Sequence, residues 1–479
     1  MSIDPNDNFA PSLALVETPA TAYLEDSEAV SRAIEQLASG LGWAQEGKGS
    51  FGRLIQPGAR VLIKPNFVLH YNQGTGGMEP MITHKSVIKA VVKAALQADA
   101  AEVLVGDAPI QTCDFSALLE ETGLGSWAEA LTEEDSRFKG VKDFRRTTAQ
   151  YVDGVRVAEE NVLPEEEFVL FDLGEDSLLE PITGDQDDFR VTCYDPRLMA
   201  KTHGRGRHRY LVAKAVMDAD LVINLPKLKT HKKAGITCAL KNLIGINGNK
   251  EYLPHHRLGG SNLGGDCYPG DSKVKRMLEY AADQQNLSDS DKVGRAWSVV
   301  ATQLNRVLHL MGDNLGIEGS WSGNDTIWRT GLDLNRVLLY GEVDGSMAAS
   351  PRRRVIHLAD AIVAGQGDGP LSPQPLLLNL LFAGNNAACV DWFGARLLGY
   401  DPRLVPIVRE AFGNFRWPIS TSQPEEINLS GDWGTGKLDQ IKLRETSTVV
   451  YPAGWRNAGR PALATDITDN TDKNIRVHP

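Results

Sequence analysis

Lysine and histidine are concentrated in one stretch, LPKLKTHKKAGITCALKNLIG (225–245), where Lys227, Lys229 and His231 alternate directly after an apolar run. An ammonium group is a point-charge ligand for carboxylate or phosphate oxygens, and an imidazole near neutrality can move a proton. If a helix begins near Lys233, then Lys233, Thr237 and Lys241 recur at i, i+4 and i+8 along one face, with Asn242 beside them. Its N-terminus would add backbone donors and a dipole favourable to an anion. A solvated basic face is the competing reading. The interleaved Ile236, Ala239, Leu240, Leu243 and Ile244 argue against it, because they draw the segment onto a core.

Other polar residues stand where apolar runs stop: Lys64 and Asn66 after ARVLI, Asp107 after AEVLV, Asp360 after RRVIHL, and His84 at the head of a helical pattern. Pro, Asn and Asp also end strands for conformational reasons alone, so each residue by itself has a plain structural explanation. Taken with the lysines, they give a candidate set. His231 is the acid/base, with Lys229 and Asp107 as its catalytic partners; Lys64, Asn66, His84, Lys227, Thr237, Lys241, Asn242 and Arg329 hold substrate. In DAIVAGQGDGP, Gly365, Gly367 and Gly369 would let backbone approach a ligand. A proline turn and a strand follow them, whereas a dinucleotide fingerprint requires a helix. His231, His255, His256 and Asp266 are the alternative, a metal set, although their spacing matches no zinc signature.

The elements that must position these residues read as an α/β fold: a mostly parallel sheet with helices on both faces, plus a helical insertion. ARVLIKPN, the helix THKSVIKAVVKAALQADA and AEVLVGDAP make a strand–helix–strand unit with parallel strands. The expected organisation is an N-terminal arm (1–25), a first core part (26–271) with an acidic, irregular elaboration near 125–207, a helical insertion (272–342), a second core part (343–454) and a polar tail (455–479). In open parallel sheets ligands bind beyond the carboxyl ends of the strands. Lys64, Asp107, Lys229, His231 and Asp360 are therefore expected to line one cleft roofed by 272–342, with Arg329 facing inward.

Composition narrows the function classes. The chain has 479 residues, 42% hydrophobic and 23% charged, which excludes wholesale disorder. Fifty Lys+Arg against 62 Asp+Glu give a formal charge of -12, the wrong field for a nucleic-acid or anionic-membrane partner. A small anionic molecule remains the expected partner, since a pocket can be basic on an acidic protein. The five cysteines form no CxxC pair, as suits reduced thiols in a cytoplasm, and no apolar run reaches the roughly 20 residues needed to span a bilayer. The oligomeric state stays open.

Several of these segments together resemble the family known as domain of unknown function 362: VLIKPN, the Thr83–His84 pair, VGDAP, LVINLPKLKTH, ALKNLIG, DAIVAGQGDGP and CVDWFGARLLGYDP, in order from about residue 60 to 410. Asp391 falls on a recurrent acidic position of that family. Many members carry ferredoxin-like cysteine repeats; this chain has none, so no iron–sulfur cluster is expected and the cofactor is open. The reading is an enzyme acting on an anionic carboxylate or phosphate by Lys/His acid–base chemistry, as isomerase, lyase or transferase. The alternatives are a non-catalytic binder or sensor of a phosphorylated metabolite, and a metal-dependent hydrolase.

Overall fold

Short runs of Val, Ile and Leu, bounded by Pro, Asn or Asp, form the centre of a large sheet. The computed structural model describes residues 5–24, 28–152, 155–288, 290–444, 448–456 and 458. Strands run in the order Gly436–Lys437, Asn428–Gly431, Ser12–Glu17, Ser372–Gly384, Arg354–Asp368, Leu221–Leu225, Arg60–Pro65, Glu102–Asp107 and Phe138–Asp143. Lys227–His231 pairs with Arg354–Asp368 and with Gly235–Thr237, which completes eleven strands. The central pairings, from Arg354–Asp368 to Phe138–Asp143, are all parallel. The fold is α/β, built on a mostly parallel mixed sheet.

Both faces are buried. Val61, Ile63, Val103 and Val105 pack with the helices Ala29–Gly40 and Lys85–Gln97 on one side. Leu62, Val222 and Val355 face the helix Ile327–Tyr340 on the other. This alternation is the period-two signature of a strand with helices above and below.

Three boundaries differ from expectation. The supposed N-terminal arm supplies Ser12–Glu17, a strand inside the sheet with Leu15 opposite Phe382; its run SLALV is apolar enough to be a core strand. Within 272–342, Lys273–Leu287 and Asp291–Leu310 form a helical pair, but every residue of Ile327–Tyr340 except Arg329 is buried, and that helix belongs to the core. Trp455 is also core, donating from Nε1 to the Lys232 carbonyl at 3.0 Å, so the chain is still packed at the point where the tail was expected to begin. Residues 459–479 of that tail lie outside the described residues.

Candidate functional site

At the carboxyl ends of the parallel strands lies a cavity of about 570 Å³. The segment 225–245 builds its floor, though not as the expected helix. Lys227–His231 and Gly235–Thr237 form an antiparallel pair with Lys229 opposite Thr237, and only Ala239–Asn242 is α-helical, followed by a 3-10 turn at Leu243–Ile246. Pairing places Lys229 and Thr237 on one face, and the short helix then returns Lys241 to the same place. Lys229, His231, Lys233, Thr237, Lys241 and Asn242 all line the cavity. The helix-terminal anion site does not form, because four residues make too short a helix to carry it.

Beneath this floor lies a buried ion pair. Lys64 Nζ stands 2.6 Å from Asp107 Oδ1, and both side chains are almost wholly buried. Phe67 N donates to Asp107 Oδ2 at 2.7 Å, while Lys64 also donates to the Pro65 carbonyl at 2.9 Å. Burial pushes the Asp107 carboxyl up and the Lys64 ammonium down, each shift opposed by the partner's charge. Gly245 makes room for the pair: a Cβ there would collide with Asp107 Oδ1 and come within 2.9 Å of Lys64 Nζ. Gly245→Ala is accordingly expected to cost roughly 1–3 kcal/mol in urea denaturation, as overpacking in a filled core does. A change below a few tenths would show that the pair yields freely.

Above the floor, positive groups outnumber negative ones. Lys233 donates to Thr192 Oγ1 at 3.1 Å and Lys250 to the Thr192 carbonyl at 2.8 Å. Lys229 donates to Asn66 Oδ1 at 2.6 Å and to the Met81 carbonyl. No hydrogen bond or ion pair holds the Lys241 ammonium among the described residues. Thr237 Oγ1 and Gln111 Oε1, both buried, also have no partner among the described residues. Burial, reinforced by Lys233 and Lys64, lowers Lys241 to about 8; burial likewise brings Lys233 to about 8 despite the nearby Glu318 carboxylate. For Glu318 burial acts upward, but Lys233 and Lys232 outweigh it and hold the carboxyl at about 2.

The two cavity histidines are set in opposite tautomers by their neighbours. Lys233 N and Ala234 N donate to His231 Nδ1 at 3.0 and 3.1 Å, which leaves the ring proton on Nε2. His255 Nδ1 lies 2.6 Å from the Leu253 carbonyl, which can only accept, so His255 keeps its lone pair on Nε2. Burial, then the surrounding lysines, lowers both imidazoles well below their ordinary range, so both are neutral. His231 is thus a hydrogen-bond donor and His255 an acceptor. Protonating His231 would set Nδ1–H against two backbone N–H groups, which disfavours it as the acid/base of the site.

The single cleft expected from the strand ends forms only in part. Asn66 and Asp107 line it, and Lys64 lies directly under it. Lys227, Asp360 and His84 form a separate buried cluster: Lys227 Nζ is 2.6 Å from Asp360 Oδ2, Tyr23 OH donates to Asp360 Oδ1, and the His84 ring stacks on Tyr23 at 3.7 Å. A register shift between Lys227 and Lys229, opposite Asp360 and Gly365, coincides with this division. Gly365 and Gly367 pair within the sheet and are not in the lining; the turn after Gly369 reaches it through Pro370 and Leu371.

Arg329 does not face inward. It donates to the Leu178 carbonyl at 2.8 Å, pairs with Asp325 at 3.1 Å and stacks on Trp328. The roof expected from 272–342 reduces to Glu318, from the loop between the helices ending at Leu310 and starting at Ile327. The metal quartet is not assembled either. Asp266 accepts from Arg257 N, Asp325 N and Thr326 Oγ1, and no group of three or more His, Cys, Asp or Glu side chains suited to a metal occurs among the described residues. Asp391 accepts from Leu240 N at 3.2 Å and so anchors the short helix that carries Lys241. Lys250, Thr192, Gln111 and Glu318 were missed from sequence, since Lys250 opens a three-residue 3-10 turn and the other three sit in turns, all without a periodic pattern.

The model of the family described as Domain of unknown function (DUF362) matches residues 61–163 and 155–396. A thylakoid-associated protein, sll1697, of Synechocystis sp. is 24% identical over 360 residues, covering 75% of this chain and 68% of its own length. Two solved structures are similar at 12% identity and a TM-score of 0.29 each. One is a protein from Thermotoga maritima (72% of this chain, 53% of that one); the other is the lactate racemase apoprotein from Thermoanaerobacterium thermosaccharolyticum (83% and 60%). The chain thus spans less than two thirds of either solved structure. No helix among the described residues is long and apolar enough to cross a membrane. With the family's segments spread from the sheet's central strands to the helix at Asp391, and its model matched over most of the sequence, the chain belongs to the DUF362 family.

Proposed function

We propose that the protein is an enzyme that binds a small carboxylate or phosphate in the lysine cavity and moves a proton on it. The observation that carries this reading is the Lys241 ammonium and the Thr237 Oγ1, both without a partner among the described residues, in one cavity also lined by Lys229, Lys233 and Lys250. Thr237 is buried and Lys241 half-buried; a buried polar group left unpaired costs free energy, and a bound oxyanion supplies what both lack. Lys233 and Lys250 hold charge, and His231 Nε2–H donates to a ligand oxygen. Lys241, lowered to about 8, is suited to take up and return a proton near neutral pH. Asp107 fixes Lys64 and the Phe67 backbone, and Lys229 orients Asn66.

The test is thermal denaturation of the full chain with inorganic phosphate, and separately acetate, over pH. At a hundredfold excess over Kd a ligand that binds only the folded state adds about 2.7 kcal/mol of stability. Lys233 and Lys241 are charged below about 8 and neutral above it, so phosphate affinity should be highest near pH 7 and fall steadily toward about pH 9. No stabilisation by either anion, or an affinity independent of pH across that window, would reject the reading. A non-catalytic binder is the second reading, supported by the locked His231 tautomer; it would share the pH dependence without any turnover.

A further inference from the structure

We propose that the ligand is an amphiphilic anion: a carboxylate or phosphate head carried on an apolar body about the size of an aromatic ring or a branched chain. This rests on the oxyanion reading and specifies its substrate class. The lysines occupy only part of the lining. Three segments far apart in sequence make a continuous wall of another character: Ile110 N donates to the Val68 carbonyl at 3.2 Å, and Gln73 N to the Leu371 carbonyl at 2.9 Å. Along that wall Phe67, Val68, Pro109, Ile110, Pro370 and Leu371 line the cavity.

Val68 and Phe67 are buried, but Ile110, Pro370 and Leu371 keep accessible surface, so the wall is not closed by the protein's own packing. Arg145 holds its middle in shape by donating to the carbonyls of Ile110, Gln111 and Cys113. The wall is therefore fixed before any ligand arrives. A cavity of about 570 Å³ far exceeds a bare phosphate or acetate and falls in the range of sites that enclose drug-sized molecules. An anion alone would leave the apolar wall wet. An apolar group attached to it would cover the wall while its head meets Lys241.

The experiment titrates the full chain calorimetrically with two series: phosphate, methyl phosphate and phenyl phosphate; and acetate, cyclohexanecarboxylate and benzoate. Phenol serves as the neutral control. Within at least one series the ring-bearing anion should bind about tenfold or more tighter than the smallest anion, and phenol should bind weakly. The series that responds identifies the head group. Ile110→Asn and Leu371→Gln should each remove most of that advantage and still bind the smallest anion, with a thermal unfolding transition like that of the wild type showing that the variants are folded. Equal affinity across both series would overturn the amphiphilic assignment and leave the oxyanion reading standing. Binding of no anion at all would overturn both.

Discussion

Replacing Lys241 with methionine is expected to weaken phosphate binding roughly ten- to a hundredfold while leaving the protein folded and no less stable. Methionine preserves the length and most of the volume of the side chain, so the packing around the floor should persist. What disappears is one charge-assisted contact, worth roughly 1.5–3 kcal/mol when it meets an anion. Proton transfer depends on the same nitrogen, so turnover of a true substrate should fall a further hundredfold or more.

The stability side of this prediction has a definite sign. In the folded chain Lys241 loses its proton near 8, whereas in the unfolded chain it holds it to about 10.5. Between those values the unfolded state binds more protons, so wild-type stability rises with pH across the window; below 8 the full cost of holding the half-buried ammonium is present. The methionine variant lacks that cost and should have a flatter stability profile between about pH 8 and about pH 10.5. A variant that binds phosphate like the wild type would remove Lys241 from the site. A variant less stable at neutral pH by more than about 1 kcal/mol would show that the ammonium has a partner in the fold.

The central sheet was legible because its strands are short apolar runs with polar stops, and VLIKPN, VLVGDAP and LVINLP are all of that kind. The strand Ser12–Glu17 was not, because its partners are Ser372–Gly384 and Asn428–Gly431, more than 350 residues away, and nothing local marks such a pairing. The segment 225–245 was legible as a cluster of cations but not in conformation. A spacing of four suits a helix, yet the hairpin closed at His231–Gly235 brings Lys229 and Thr237 together equally well. Lys227 and Lys229, two residues apart, should share a face of a regular strand. The shift in pairing between them sends one to Asp360 and the other to Asn66. Tautomers are the least accessible in sequence, because His231 and His255 acquire theirs from backbone groups whose directions exist only in the fold.

Because Lys227 and Lys229 part company, removing Asp360 should harm folding far more than ligand binding. Lys227 and Asp360 are wholly buried, 2.6 Å apart, and the cluster is closed by Tyr23 OH, by the His84 backbone N–H donating to Asp360 Oδ2 at 3.0 Å, and by the Val363 carbonyl accepting from Lys227 at 3.2 Å. Asp360→Ala leaves an ammonium in the core with no counter-charge beside it. Breaking a buried pair from one side costs about 3–5 kcal/mol, a large part of a protein's total stability. Replacing both partners with apolar residues of similar volume, Lys227→Met with Asp360→Leu, should recover part of that loss: the desolvation of two charges disappears with them, but Tyr23 OH and the His84 N–H lose their acceptor. A double-mutant cycle in urea denaturation reads the difference, and the coupling should exceed about 1 kcal/mol, as for residues within one network. Phosphate affinity of the double variant should stay within about twofold of the wild type, since neither side chain lines the cavity. If Lys227→Met alone lowers that affinity tenfold without changing stability, Lys227 is a ligand residue after all, and the division of the two lysines between a structural cluster and a binding floor is wrong.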